Sequence, residues 1–322
     1  MTARSPHSGK GRGLVVLSGQ SAGAGRVTLV GAGPGDPELL TIKALKAIQR
    51  ADVIVHDGLV SDEILALAPP RARRISVAKR KSRHSYVQAD IDRLLVAFAR
   101  EGLDVVRLKG GDPFLFGRGG EEMEACRAAG VACDVIPGIT AALAASAGAG
   151  APLTHRGAAQ SVTFVTAHAV GGETPELDWP ALARANQTVV IYMGLTKAAE
   201  IAARLIAAGR AASTPALIVE NASLPGERQA PTTLSGLGEA ARGLKGPALL
   251  IIGEAMALAQ TNLSLREREG PAPERAWEGE GLQPHRESQP ALNGSQQSDV
   301  VTPHPPKPAP WAPPSPYRRG SL

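Results

Sequence analysis

Short apolar runs alternate with segments of helical periodicity between residues 26 and 260. Runs rich in β-branched and aliphatic residues predict eight strands, at 26–30, 52–55, 104–108, 131–136, 161–166, 188–193, 216–219 and 248–252. Apolar positions spaced three and four residues apart predict helices, at 91–100, 120–129, 140–149 and 198–208. This alternation predicts an α/β fold of open sheets, with ligand sites at the carboxyl ends of the strands.

A further helix is predicted directly after the first strand. Asp36 is a favourable N-cap and Pro37 suits the first turn. An apolar stripe follows at helical spacing, formed by Leu39, Ile42, Leu45 and Ile48. Farther along, Pro137 interrupts the strand–helix alternation. We therefore expect two α/β lobes, 26–138 and 139–260, with open mixed sheets flanked by helices and a ligand cleft between the lobes.

The chain outside this core has a different composition. Residues 1–25 are rich in glycine and serine, and 12 of the 26 prolines lie beyond residue 261. Such segments cannot bury enough apolar surface to offset the entropy of ordering them. We predict disorder in the N-terminal extension, 1–25, and in the proline-rich tail, 261–322. Because only 25 residues precede the core, we also expect no dehydrogenase–chelatase domain before it.

Composition and charge argue against several classes of function. Only 3% of the 322 residues are aromatic and the net charge is +5, which is a weak footprint for nucleic-acid binding. No apolar run reaches the ~18 residues of a membrane span. Cys126 and Cys133 fit neither a metal clip nor a redox motif, and we interpret them as buried structural thiols. These features predict a soluble cytoplasmic protein with no nucleic-acid or membrane partner.

The first predicted strand is followed by the glycine-rich segment GAGPGD at 31–36. Glycines at this point allow a tight turn or a close approach of the backbone to a ligand. A dinucleotide-binding fingerprint needs G-x-G-x-x-G, and Asp36 stands where the third glycine belongs, so an NAD-dependent dehydrogenase is disfavoured. Two interpretations stay open, a ligand site and a tight turn without a ligand.

A longer segment, RLKGGDPFLFGRGGEE at 107–122, also follows a strand and opens a helix. Asp112 lies between a glycine pair and a proline, while Arg118 and Glu121 flank the next glycine pair. This concentration of charge, glycine and apolar residues favours a functional loop over a simple connector. Three shorter segments complete the set: VIPGITAA at 135–142, PLTHRG at 152–157 and IYMG at 191–194.

Six motifs follow one another along the chain: VGAGPGDPELLT, DGLVS, RLKGGDPFLFGRGGEE, VIPGITAA, PLTHRG and YMGL. In this order they resemble the motifs of the uroporphyrinogen-III C-methyltransferases of the tetrapyrrole methylase superfamily. The resemblance covers nearly all of residues 26–258, and its specific part is GGDPFLFGRGGEE. It implies two α/β lobes, S-adenosylmethionine as the methyl donor in the cleft, no metal, and a homodimer. The implied reaction methylates uroporphyrinogen III twice, on rings A and B, to give precorrin-2 for sirohaem or cobalamin biosynthesis.

The resemblance also implies roles for individual residues. The cofactor contacts fall on Pro34, Gly110, Gly111, Asp112, Leu115, Thr140, Ala141, Met193 and Ala222. The proton acceptor and donor fall on Asp57 and Lys79, and a carboxylate near Arg118 is the alternative general base. Substrate handling falls on Arg118 and Glu121, which we also count among the candidate catalytic residues, and on Arg156.

A run of basic residues is consistent with this substrate, independently of the resemblance. Seven basic residues and no acidic residue lie between positions 71 and 83: Arg71, Arg73, Arg74, Lys79, Arg80, Lys81 and Arg83. Arginine forks suit the recognition of a ligand with many carboxylates, such as uroporphyrinogen. The alternative is a solvated basic surface.

Three other functions remain as alternatives. A superfamily sibling would methylate a precorrin or another acceptor. An NAD-dependent dehydrogenase would bind nicotinamide, and a non-catalytic tetrapyrrole-binding protein would need no cofactor site.

Overall fold

The computed structural model of the chain describes residues 25–78, 87–168 and 175–259. The first half forms a five-stranded sheet in the order β3-β2-β4-β1-β5, in which every neighbouring pair is parallel. Its strands are β1 (Arg26–Gly31), β2 (Val53–His56), β3 (Arg73–Ser76), β4 (Asp104–Lys109) and β5 (Ala132–Ile136). Because all five strands are parallel, their carboxyl ends meet at one edge of the sheet.

Helices cover both faces of this first sheet, as a parallel sheet requires. They are α1 (Ile42–Arg50), α2 (Asp62–Ala66), α3 (Gln88–Arg100) and α4 (Gly119–Ala128). On one face Ile48 and Ile64 are fully buried against the strands. On the other face Leu95 and Phe98 pack in a second apolar cluster.

The second half forms a mixed sheet in the order β6-β7-β10-β8-β9. Its strands are β6 (Ser161–Thr166), β7 (Gln187–Tyr192), β8 (Pro215–Glu220), β9 (Arg228–Thr233) and β10 (Ala248–Ile252). β6 and β7 are parallel, whereas β10 is antiparallel to both β7 and β8. β6, β7 and β8 therefore run in the same direction and end at the same edge.

Four helices accompany the second sheet: α5 (Ala141–Gly148), α6 (Trp179–Leu182), α7 (Ala198–Ala207) and α8 (Leu237–Ala240). α7 and α8 pack on one face, where Ile201, Leu205 and Leu237 are buried. α5 packs on the other face through alanines such as Ala142 and Ala145. Short 3-10 turns occur at Pro37–Leu39, Leu195–Lys197 and Glu254–Leu258.

The prediction of a single helix that starts at Asp36, directly after the first strand, is wrong. Asp36 caps only the 3-10 turn Pro37–Leu39, and α1 starts afresh at Ile42 behind a second cap, Thr41. The restart changes the phase of the helix, so that Ile42 is 73% exposed. The buried face consists instead of Ala44, Ala47 and Ile48.

The predicted α/β architecture of two sheets flanked by helices is confirmed, and the predicted strands agree with the observed ones to within one residue at each end. The division at residue 138 stays a prediction. The predicted disorder at 1–25 and 261–322 falls almost entirely outside the described residues. Within the ranges that the structure describes, no helix is long and apolar enough to cross a membrane.

Candidate active site

The loops that follow β1, β4 and β5 are pressed together through glycine. Gly33 N–H donates to Gly111 O at 3.2 Å, and Gly111 N–H donates to Gly33 O at 2.7 Å. A Cβ on Gly31 would lie 2.4 Å from the backbone nitrogen of Gly138, closer than real Cβ contacts. Only glycine allows this approach, so the first glycine-rich segment is required for packing between strand ends as well as for its turn.

Asp112 joins two of these loops. Its Oδ1 accepts the backbone N–H of Phe114 at 2.8 Å, and its Oδ2 accepts that of Gly138 at 3.0 Å. An ionised carboxylate has about four lone-pair sites, so these bonds leave acceptor capacity for a ligand. The structure thus gives Asp112 an anchoring function, and its contact with a cofactor stays a prediction.

Asp57 lies in the turn after β2, against the same glycine pair. Its Oδ1 accepts Leu59 N–H at 2.9 Å and its Oδ2 accepts Gly110 N–H at 3.3 Å. The candidate proton acceptor is therefore in contact with the candidate cofactor loop. Lys79, the candidate proton donor, lies outside the described residues.

The end of β7 meets the start of α5. Tyr192 Oη lies 2.6 Å from Thr140 Oγ1 and accepts Ala142 N–H at 3.3 Å. Burial raises the pKa of Tyr192, so the hydroxyl keeps its proton at neutral pH. The next residue, Met193, has φ of 56° and a side chain that is half exposed. Met193 thus lies just beyond the strand that was expected to include it.

The loop after β8 reaches back to the first glycine-rich segment. Ser223 Oγ accepts the backbone N–H of Asp36 at 3.2 Å. A Cβ on Gly35 would lie 2.4 Å from Leu224 Cδ2. These contacts bring the loop of Ala222, which is itself buried, next to the loop of Pro34.

Arg118 and Glu121 form a surface ion pair. Arg118 Nε and Nη2 donate to the two carboxylate oxygens of Glu121 at 2.8 and 2.7 Å, and the side chains are 56% and 53% exposed. These hydrogen bonds lower the pKa of Glu121 below its usual value. Arg118 has φ of 59° and precedes α4, which begins at Gly119 rather than at the predicted Gly120.

Glu122, the next residue, is fully buried between two cations. Its Oε1 accepts Arg107 Nε at 2.9 Å, and Lys109 Nζ lies 3.0 Å from each of its oxygens. Burial lowers the pKa of Lys109, and the nearby Arg107 charge lowers it further. Sequence reasoning did not single out this cluster. Its signal was the alternation Arg-x-Lys inside an apolar strand, which points two cations to one face of the sheet.

Residues 26–238 match the family described as Tetrapyrrole (Corrin/Porphyrin) Methylases. The chain belongs to the tetrapyrrole methylase family. The predicted membership of this superfamily is therefore confirmed.

Two curated relatives of this tetrapyrrole methylase are sirohaem synthases. Siroheme synthase 3 of Aeromonas hydrophila is 50% identical over 244 residues, which are 76% of this chain and 52% of that protein. Siroheme synthase of Neisseria meningitidis is 51% identical over 246 residues, which are 76% of this chain and 51% of that protein. The chain therefore spans about half the length of the curated relatives it matches.

Solved structures extend the comparison. Uroporphyrin-III C-methyl transferase of Thermus thermophilus, complexed with S-adenyl homocysteine, is 43% identical, with a TM-score of 0.64, and the match covers 72% of this chain and 99% of that one. Cobalt precorrin-4 methyltransferase, a cobalamin biosynthetic enzyme, is 31% identical, with a TM-score of 0.65 and coverage of 72% and 95%. Both support the fold of a tetrapyrrole methylase.

Most of the candidate site residues of this methylase lie in loops that contact one another. The connected loops carry Pro34, Asp57, Gly110, Gly111, Asp112, Leu115, Thr140, Ala141, Met193 and Ala222. Arg156 is exposed in a separate turn, which is closed by a bridge between His155 and Ala159. The homodimer and the cytoplasmic location stay predictions.

Two arginines of the basic run 71–83 make contacts within the protein. The Arg73 guanidinium lies over the Phe98 ring, 4.7 Å from its centroid. Arg74 donates to Ala68 O at 3.2 Å. Residues 79–83 of the run are outside the described residues. These two arginines therefore have partners within the fold, which weakens their assignment to a polycarboxylate ligand.

Proposed function

We propose that this tetrapyrrole methylase transfers methyl groups from S-adenosylmethionine to two ring carbons of uroporphyrinogen III, on rings A and B, to give precorrin-2. The observation that supports this proposal is the position of the loop 110–118, between β4 and α4. At Asp112 this loop is bonded to the glycine-lined strand ends, and at Arg118 it presents an exposed guanidinium. One loop therefore joins the region proposed for the cofactor to a group suited to a substrate carboxylate.

The residues present fit a bound S-adenosylmethionine. A Cβ on Gly111 would be in ordinary van der Waals contact with backbone atoms of Thr140 and Ala141, at 3.9 and 4.0 Å, so these candidate cofactor residues face one another. Backbone groups of Gly110 and Gly111, the Asp112 carboxylate and the half-exposed Met193 side chain would hold the cofactor. When bound, it supplies an electrophilic methyl group.

The protein's own part in the reaction is to orient the acceptor and to move a proton. The peripheral pyrrole carbons of a porphyrinogen are electron-rich, and the acceptor carbon must be held about 3–3.5 Å from the methyl group, away from water. Asp57 is fixed by two backbone N–H groups and keeps further lone pairs, which supports its carboxylate as the proposed acceptor of the proton released after methylation.

The Arg118 guanidinium is the proposed anchor for an acetate or propionate arm. A guanidinium binds a carboxylate through two parallel hydrogen bonds, the geometry that Arg118 already shows with Glu121. Because this pair is more than half exposed, a substrate carboxylate can replace Glu121 without burying an unpaired charge.

The test combines cofactor binding with a choice of acceptors. Calorimetry with S-adenosylhomocysteine should show saturable binding. Anaerobic incubation with S-adenosylmethionine should methylate uroporphyrinogen III in preference to a cobalt-precorrin. The likeness to cobalt precorrin-4 methyltransferase makes methylation of the precorrin alone the main competing result. Tetrapyrrole binding without cofactor binding would instead indicate a non-catalytic protein.

A further inference from the structure

Tyr192 contacts two different segments of the proposed site. Its hydroxyl faces Thr140 and Ala142 at the start of α5. Its ring lies 5.1 Å from the Phe116 ring, with an interplanar angle of 53°, an arrangement that aromatic pairs favour. A second ring, that of Phe164, lies 6.3 Å away and edge-on.

The Tyr192 hydroxyl has two hydrogen-bond partners at the start of α5. It accepts the Ala142 N–H at 3.3 Å, and it shares a 2.6 Å hydrogen bond with Thr140 Oγ1 in which either oxygen can be the donor. Thr140 is the N-cap of α5, yet its side chain makes no capping bond to that helix. Whichever oxygen donates, Thr140 Oγ1 keeps further hydrogen-bonding capacity for a ligand, and the bond to Tyr192 fixes its position.

The ring contact is made by a strained part of the loop 110–118. Phe116 has φ of 53°, a left-handed conformation that is unfavourable for any residue with a side chain. Such a conformation persists only where the surroundings hold it, and the Tyr192 ring is a neighbour that does so. Arg118, two residues on, is also left-handed, so the conformation held at Phe116 extends to the proposed substrate anchor.

We propose that Tyr192 is a positioning residue with two separable effects. Its hydroxyl sets the affinity for the cofactor through Thr140, and its ring sets the affinity for the acceptor through Phe116 and Arg118. This inference rests on the proposed function, because it assigns the two contacts to the two ligands of that function.

The experiment separates the hydroxyl from the ring. Tyr192→Phe keeps the ring and should weaken S-adenosylhomocysteine binding about three- to tenfold, the effect of one hydrogen bond, while KM for uroporphyrinogen III stays unchanged. Phe116→Leu should raise KM for uroporphyrinogen III by about the same factor and leave S-adenosylhomocysteine binding unchanged. Phe164→Leu is the matched control, since it also removes a ring contact of Tyr192, but from β6 and not from the loop that carries Arg118, and it should alter neither ligand.

The outcomes are distinct. Tyr192→Phe with wild-type cofactor affinity would overturn the inference, as would equal weakening of both ligands together with a lower melting temperature, which indicates a structural role. If the wild-type protein binds S-adenosylhomocysteine but does not methylate uroporphyrinogen III, the proposed acceptor and the ring effect fail, while calorimetry still decides the hydroxyl effect. Absence of cofactor binding by the wild type would reject both proposals.

Discussion

Glu121 and Glu122 are adjacent in the first turn of α4, and both pair with cations, but their surroundings are opposite. Glu121 is more than half exposed and holds one arginine, Arg118, from the same turn. Glu122 is fully buried and lies between Arg107 and Lys109 of β4. One pair is local and open to water, whereas the other connects a helix to the centre of a sheet.

Burial determines whether an ion pair stabilises the fold or can exchange one partner for a ligand. A solvent-exposed pair contributes little to stability, since water solvates both partners well when they separate. Its partners are therefore free to exchange for a ligand. Removing one partner of a buried pair leaves an uncompensated charge inside the protein, which is strongly destabilising. This difference supports the proposed role of Arg118 in substrate handling and indicates a stabilising role for the Glu122 cluster.

The largest effect is expected from Glu122→Ala. Arg107 and Lys109 would be left buried without a counter-charge, and the free energy of unfolding should fall by about 3–5 kcal/mol. Urea denaturation measures this loss. Glu121→Ala is the matched control and should cost less than about 1 kcal/mol. Similar losses of unfolding free energy in the two variants would contradict the distinction between the exposed and the buried pair.

Arg118→Lys should affect activity rather than stability. Lysine keeps the charge but loses the two-pronged geometry, and loss of a charged hydrogen bond costs about 1.5–3 kcal/mol. We expect kcat/KM for uroporphyrinogen III to fall roughly 10- to 150-fold, with an unchanged melting temperature and unchanged S-adenosylhomocysteine binding. Parallel titration with cofactor and a porphyrin analogue checks this, and equal weakening of both would reject the substrate role.

Asp112 is intermediate between the two glutamates, because it is partly buried and bonded to backbone amides. Asp112→Asn keeps the size but provides one acceptor oxygen instead of two, so one of the two amide bonds is lost. We expect S-adenosylhomocysteine binding about tenfold weaker, or ~1.4 kcal/mol, with the fold retained. Asp134→Asn, at an exposed position of β5, is the control. Unchanged cofactor affinity in the Asp112 variant would remove Asp112 from the proposed site.

The smallest effect concerns the titration of Glu121. Its pKa lies below the usual 4.5 because Arg118 bonds the charged form. The stabilisation from this pair is therefore complete above about pH 4.5 and is lost as the pH falls through the lower pKa of the folded state. In Arg118→Gln, NMR titration of the Glu121 carboxyl should show the pKa moving up towards 4.5. A pKa that does not move would mean that the pair does not persist in solution.

The sequence predicted the elements whose cause is local and missed those that depend on distant partners. Apolar strands were identified because a strand that is buried on both faces has a continuous run of apolar residues. β3 and β9 were missed, since each is an edge strand with one neighbour and a polar sequence, RRIS and RQAPTT. The phase of α1 was wrong because a second cap, at Thr41, restarts the helix.

The same distinction applies to the site. Glycines at strand ends could be identified from the sequence, because close approach of the backbone has a recognisable residue type. The partners of those glycines could not, since the meeting of Gly31 with Gly138 depends on β1 and β5 being neighbours in the sheet. Contacts of Tyr192 with Thr140 and Phe116 likewise arise only when the two halves of the chain are assembled.

The most direct test of the account counts methyl groups on the product. The full chain would be incubated anaerobically with uroporphyrinogen III and S-adenosylmethionine carrying an isotopically labelled methyl group, and the macrocycle analysed by mass spectrometry over time. The account predicts one labelled methyl group early and two at completion, with none when the cofactor is omitted. A macrocycle that remains unlabelled, in the presence of protein shown by calorimetry to bind S-adenosylhomocysteine, would contradict the proposed acceptor.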